Sequence, residues 1–259
     1  MGAKSRAFIG TVYMATLDGN KNRTSGYMKV GNCYPFTVKV ETEQKVNVSR
    51  MRENAGQNLD VRNILSAISG SLTINQWLAK TLAWALSGEE VAMTEAGGTV
   101  TAAAGTTLTA PKPGEWEPMG HQNISAVEIT EDVDTTSATY VLGTDYLINT
   151  ALGMWTTVEG GQISAGDKVR YGYTYAAESG YRVEIGTKTL IRVAILIDGE
   201  DEYSGELINA EFDSVVLASG TEINLISDPD TDYEELQFST TFETLDGKTS
   251  PGRINGVSL

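Results

Sequence analysis

The chain has 259 residues, a formal net charge of −15, 41% hydrophobic residues, one cysteine and one histidine. That length can bury a core as one large or two ordinary domains. The acidic excess argues against a protein that neutralises phosphates with clustered Lys and Arg. A single Cys allows no internal disulfide, and one Cys with one His cannot supply a Cys/His zinc cluster. Cys33 reads as a small buried hydrophobe.

The opening MGAKSRAFIGTVYM lacks an apolar run of signal-peptide length, and no stretch of the chain approaches a membrane span. Synthesis and assembly in the cytoplasm are expected, with no membrane partner. A strand is expected from Ala7 to Leu17, a polar turn from Asp18 to Ser25 and a second short strand from Tyr27 to Val30. Together they make an edge hairpin or an N-terminal arm.

Two alternating runs follow. From Phe36 to Arg50, Phe36, Val38, Val40, Val46 and Val48 share one parity, while Lys39, Glu41, Glu43, Lys45 and Asn47 share the other. The pattern predicts a long strand with one buried and one wet face. From Val61 to Ile74 the return strand sets Ile64, Ile68, Leu72 and Ile74 against Ala67, Ser69, Ser71 and Thr73. The segment between them, Met51 to Asp60, is too long and too charged for a tight turn. A projecting loop is expected, with Arg52, Glu53, Asn54, Gln57, Asn58 and Asp60 available to a partner.

A helix is predicted from Gln76 to Ser87. Trp77, Leu78, Leu82 and Trp84 would anchor it to the sheet, Thr73 with Gln76 or Asn75 alone would cap its start, and Gly88 would stand at its C-terminal cap. Thr94 to Gly114 is poor in large side chains and reads as a linker or a weak strand pair. Short strands are then expected at Ile124 to Thr130, Ala138 to Leu142, Tyr146 to Asn149, Trp155 to Val158 and Lys168 to Ala176, as a small inserted β-sandwich. Further strands are expected at Thr189 to Ile197, Tyr203 to Leu217, Ile223 to Ile226 and Glu234 to Leu245, with an acidic turn at Asp198 to Glu202. In the last of them Leu236, Phe238 and Phe242 face one way, while Glu235, Gln237 and Glu243 face the other. The expected fold is mainly β: two packed antiparallel sheets with one flanking helix, in residues 1–93 and 179–259, plus the insert at 94–178.

The residues offer little chemistry. His121 stands alone in a turn-like MGHQN context, and no catalytic or metal role is expected of it. Gly247, Lys248 and Thr249 mimic the end of a phosphate-binding loop, but Phe242 occupies the position of its first glycine. Asp228, Asp230 and Asp232 have the alternate spacing of calcium ligands, yet Tyr233 and Ser239 stand where a glycine and a bidentate Glu belong. Tyr171, Tyr173 and Tyr175 line one strand face, which suits sugar stacking or cross-strand packing. No enzyme activity and no cofactor are expected.

The order strand, charged loop, strand, then the helix NQWLAKTLAWALSG resembles the tail-tube (major tail) proteins of long-tailed bacteriophages. The likeness continues in YSGELINAEFDSVVLASGTEINLIS, an acidic turn and YEELQFSTTFETLDGK, so it covers somewhat more than half the chain. The segment YVLGTDYLINTALGMW with VRYGYTYA resembles a β module of phage tail and baseplate proteins. The resemblance implies a virion protein whose subunits form rings, hexameric in that family, that stack into a hollow tube conducting viral DNA. It implies tail terminator, tail tip or baseplate and tape measure proteins as partners, with DNA passing without specific binding. It turns Lys39, Glu41, Glu43, Lys45, Glu235, Gln237 and Glu243 into a lumen lining and the 51–60 loop into a ring-stacking element. The competing reading is a surface or adhesin-like glycan-binding protein of tandem β modules, supported by the insert and its tyrosines and opposed by the missing secretion signal.

Overall fold

The computed structural model describes residues 6–103, 105–133, 138–220, 222–226 and 233–257. It is mainly β, with antiparallel sheets and one helix. The chain divides into unit 1, Met1–Val91 with Arg182–Leu259, and unit 2, Ala92–Tyr181. These limits lie within three residues of the inserted module expected from the sequence.

The elements of unit 1 begin with β1 (Phe8–Thr16), β2 (Met28–Lys29), β3 (Cys33–Val48), β4 (Asn58–Ile74) and α1 (Ala79–Ala85). The chain then passes into unit 2 through β5 (Glu89–Glu95). There it forms β6 (Gly98–Val100), β7 (Thr107–Thr109), β8 (Glu117–Pro118), β9 (Ile124–Glu131), β10 (Tyr146–Asn149), β11 (Met154–Thr157) and β12 (Lys168–Tyr175). It leaves through β13 (Glu178–Glu184), which pairs with β5, and completes unit 1 with β14 (Ile191–Asp201), β15 (Leu207–Ser219), β16 (Leu236–Phe242) and β17 (Gly252–Val257).

In unit 1, hydrogen bonds join eight strands into one sheet of order β2-β1-β14-β15-β16-β4-β3, with β17 also on β15. The two layers expected from the sequence are thus parts of a single bonded sheet, which curls enough for Phe36 on β3 to meet Phe212 on β15 at 5.9 Å between ring centres. Phe212 in turn packs on Phe242 at 4.8 Å. The concave face holds Met14, Leu72, Ile74, Val193, Ile195, Val215, Leu236 and Phe238, all essentially solvent-free. Fully burying each such side chain is worth about 1.5–3 kcal/mol. β1 lies inside the sheet, bonded to β14 along its whole length. The N-terminal strand is therefore intramolecular.

The helix is shorter than its periodicity predicts. Leu78 precedes its first turn, and Thr81 Oγ1 accepts the Leu78 N–H at 2.9 Å, so neither Asn75 nor Thr73 caps it. At the other end Ser87 takes the left-handed conformation (φ 49°), and the Gly88 N–H reaches back to the Ala83 carbonyl at 2.7 Å. Gly88 is one residue beyond the expected left-handed position. Its lack of a side chain matters for another reason: a Cβ there would stand 2.3 Å from the Glu184 carbonyl oxygen. Of the four expected anchors, Trp84 is buried and Leu82 packs partly on the core, while Trp77 and Leu78 are exposed. α1 is two turns long, too short to turn both tryptophans toward the sheet.

Unit 2 has two sheets, β6-β12-β7 with β9 on β12, and β10-β11-β8. Ile129 and Val169 from the first and Tyr146 and Trp155 from the second share one core, a small sandwich as predicted. Asp145 is buried and ties the β10 entry to two neighbouring loops, accepting the N–H groups of Val141 at 2.8 Å and Gln162 at 2.9 Å. Those bonds hold its carboxyl below the usual carboxylate range. The segment expected as a strand at 138–142 forms isolated bridges only, residues 223–226 form no strand, and β17 was not foreseen. The strand expected at 203–217 begins at Leu207, because the turn lies at 202–206 and the acidic residues Asp198 and Glu200 belong to β14.

Candidate functional site

The longest strands make the most unusual feature of unit 1. β3 and β4 pair from Cys33 opposite Ile74 out to Val48 opposite Asn58, yet β16 covers β4 only along Ser69–Ile74. Beyond Ile68 the hairpin continues as a two-stranded arm with both outer edges unbonded to any other strand among the described residues. At about 3.3 Å per residue, Val40–Val48 alone reaches roughly 26 Å. The arm is exposed on both faces, which corrects the expectation of one buried face along the whole of β3.

Register decides what each face carries. Glu41 lies opposite Ala67 but Thr42 lies opposite Leu65, so Ser66 is an extra residue, a β-bulge. Past the bulge the parity of β4 inverts. Val40 with Ile68, Thr42 with Leu65 and Val46 with Val61 form one face that is apolar except for Thr42 and the pair Gln44–Asn63, whereas Ile64 pairs with Glu43 on the wet face. The sequence pattern had placed Ile64 with the apolar set. Val40 is 59% exposed, Leu65 58%, Val61 45% and Val46 40%. Exposed apolar surface of this kind marks interaction sites, ligand grooves or aggregation-prone edges.

The wet face carries Lys39, Glu41, Glu43 and Lys45 from β3 with Asp60 and Arg62 from β4. Lys39 pairs with Glu41 at 3.0 Å, and Lys45 pairs with Glu43. The hydrogen bond and charge of Lys39 hold the Glu41 carboxyl below the usual range. Three basic and three acidic groups balance here, so the acidic excess of the whole chain does not extend to this face. The same face continues onto β16, where Gln237 lies opposite Thr73 and Thr241 opposite Ser69. Glu235, exposed, directly precedes β16. Glu243, just beyond that strand, is largely covered and bound to Arg192 at 3.1 Å, Lys21 at 3.4 Å and Ser214 at 2.9 Å. It fastens strands together and is not a free lining group.

The tip is an ordered turn instead of a projecting loop. Ser49 is buried, donates its N–H to the Gln57 carbonyl at 2.7 Å and bonds through its hydroxyl to Asn54 at 2.6 Å. Arg52, Glu53 and Gln57 are exposed around it, whereas Asn58 and Asp60 already belong to β4. What projects is the hairpin itself.

At the root of the arm, Phe8, Tyr34, Phe36, Val38, Phe212 and Ile254 border an apolar groove of about 490 Å³. Cys33 also lines it, and burial pushes its thiol up to about 12. The alternation of the sequence carried no signal for this groove, since it depends on the curl of the sheet and on β17.

The other sequence candidates have structural roles. His121 stacks on Tyr175 at 3.7 Å, with Nδ1 2.7 Å from the Tyr173 hydroxyl and Nε2 3.2 Å from Glu95. Tyr173 is buried and donates to the Met119 carbonyl at 2.8 Å, and burial raises its hydroxyl pKa. Tyr171 and Tyr175, half-buried, pack against the same core. Lys248 pairs with Asp213 at 2.6 Å. Asp228, Asp230 and Asp232 lie outside the described residues, among which no three metal-ligating side chains converge. Nor is any described helix long and apolar enough to cross a membrane.

None of the curated proteins compared matches this sequence. One family model matches residues 6–252, nearly the whole chain, and the protein belongs to that family, described as protein of unknown function UCP028589.

Proposed function

We propose that this protein is the structural subunit of a bacteriophage tail tube, forming rings that stack into a hollow conduit for viral DNA. The observation that carries the reading is the β3–β4 arm. A two-stranded hairpin exposed on both faces is marginally stable in water, and this one leaves Val40, Val46, Val61 and Leu65 uncovered on one face. A chain that keeps such an arm gains by covering it in an assembly. The other support is the resemblance in element order, with α1 after the second long strand and a balanced, self-paired wet face that gives phosphate little to hold.

In this reading the rings are homohexamers, as the resemblance implies, and the wet faces of β3, β4 and β16 line the lumen. A tape measure protein fills the tube during assembly in the host cytoplasm, and terminator and tip or baseplate proteins close its ends in the virion. The test is electron microscopy and light scattering of the purified chain over a concentration series. Rings or tubes with a central hole are expected. A uniform monomer at every concentration overturns the proposal.

A further inference from the structure

Two uncovered apolar surfaces on one chain need an occupant: the outer half of the arm, and the groove at its root. We propose that they cover each other between copies, the arm of one subunit lying in the groove of the next. This rests on the assembly reading above and specifies its contact.

The arm cannot fill its own groove. Tyr34, Phe36 and Val38 of β3 already form one wall, and the strand runs on from there, carrying Val40, Val46 and Val48 away from it. A second copy supplies a strip of matching chemistry. Its Val40, Val46, Val61 and Leu65 stand on one face, and the groove presents Phe8 at 61% exposure and Ile254 at 64%.

Charge favours the same pairing. Residues 36–68 hold five basic and four acidic groups in a chain of net charge −15, and Arg50 and Arg52 stand exposed at the tip, with Glu53 between Arg52 and Asn54. The groove runs toward Phe8, which lies opposite Asp201 at the β14–β15 turn, where Glu202 is exposed while Asp201 is buried and Glu206 pairs with Arg6 at 2.9 Å. Residues 36–68 contribute +1 to the total of −15, so the rest of the chain carries −16. An arm of slight positive balance on an apolar strip thus meets an apolar groove on an otherwise strongly acidic chain, an arrangement that speeds encounter. Because arm and groove are different surfaces, the contact is heterologous, and repeating it builds a closed ring or an open filament, not a twofold dimer.

The test uses two double variants of the full chain. Val46→Asp with Leu65→Asp disables the arm and leaves the groove, while Phe8→Asp with Ile254→Asp disables the groove and leaves the arm. All four positions are exposed, so circular dichroism and thermal midpoint are expected to match the parent. Each variant alone should sediment as a monomer. Mixed in equal amounts they retain one good arm and one good groove, so they should form a 1:1 dimer of doubled mass that grows no further.

If the parent assembles and either variant assembles like it, or if the mixture stays monomeric, arm and groove are not partners, although the tube reading survives. A parent that never assembles overturns both. A photoreactive benzoylphenylalanine in place of Val46 gives a measurement that does not depend on the double variants folding. In mixtures of isotopically heavy and light chains, crosslinks to Phe8, Tyr34 or Ile254 of another copy are expected, and crosslinks confined to other surfaces overturn the inference.

Discussion

Leu65 lies opposite Thr42 on the apolar face of the arm, because Ser66 is bulged out between it and Ala67. A parity count along the sequence puts Leu65 on the wet face and Ile64 on the dry one, and the bulge exchanges them. Leu65→Lys should therefore leave the monomer within about 0.5 kcal/mol of the parent, as exposed substitutions do, and abolish assembly. Ile64→Lys should leave both nearly unchanged. Denaturant melts and sedimentation of the two variants check this, and the reverse order of effects would mean that the arm keeps its register without the bulge when assembled.

Trp77 and Trp84 stand seven residues apart but differ in burial, at 36% and 5% exposure. Trp84→Ala empties the space between α1 and the sheet and should cost about 3–5 kcal/mol. Trp77→Ala should cost less than about 1 kcal/mol in the isolated subunit. The shift of the urea midpoint reads both, and equal losses would mean that both rings are core.

Glu243 joins three segments through Arg192, Lys21 and Ser214. Burial works against its charged form, but the hydrogen bonds from Arg192 and Ser214 and the charges of Arg192 and Lys21 outweigh it and hold the carboxyl below its usual range. A depressed carboxyl stabilises the fold above the unfolded-state pKa of about 4.3, and that contribution is lost as pH falls through the lower folded value. Glu243→Gln should therefore cost about 2 kcal/mol at pH 7, and the gap from the parent should close below about pH 4. Thermal melts across pH 3 to 8 check this, and a gap that persists at pH 3 would assign the loss to shape instead of charge.

The wet face is self-neutralised, so it should not hold DNA. Replacing Glu41, Glu43 and Glu235 with Lys adds six positive units per subunit, two for each reversal, while sparing the largely covered Glu243 network. Assembled tubes of this variant should retain DNA at low salt and release it as salt rises, since phosphate contacts release counterions. Parent tubes should retain none. Equal, salt-independent behaviour of the two would remove these side chains from the lumen.

Alternation and composition by themselves determined the class of fold, the long hairpin, the presence of a helix after it and the limits of the inserted sandwich to within a few residues. These are local signals, because a period of two and a run of small residues are written in neighbouring positions. Which alternating faces are dry was not local. Leu72 is buried and Phe36 half-buried because the sheet curls back over them, whereas Val40 and Val46, of the same parity as Phe36, lie beyond the last residue of β4 that β16 reaches. The bulge at Ser66 has no sequence signature, yet it decides the face of β4 from Leu65 out to Asp60, where a second register shift follows. Glu243 looks like any polar residue of a wet strand, and only the approach of Arg192 from β14 and Lys21 from the first turn makes it a fastening. The groove is more remote still from the sequence, since Phe8, Phe36 and Ile254 come from the start, the middle and the end of the chain. Period and propensity act between neighbours along the backbone, but coverage by solvent or protein is settled by segments far apart in the chain, which only the tertiary structure brings together.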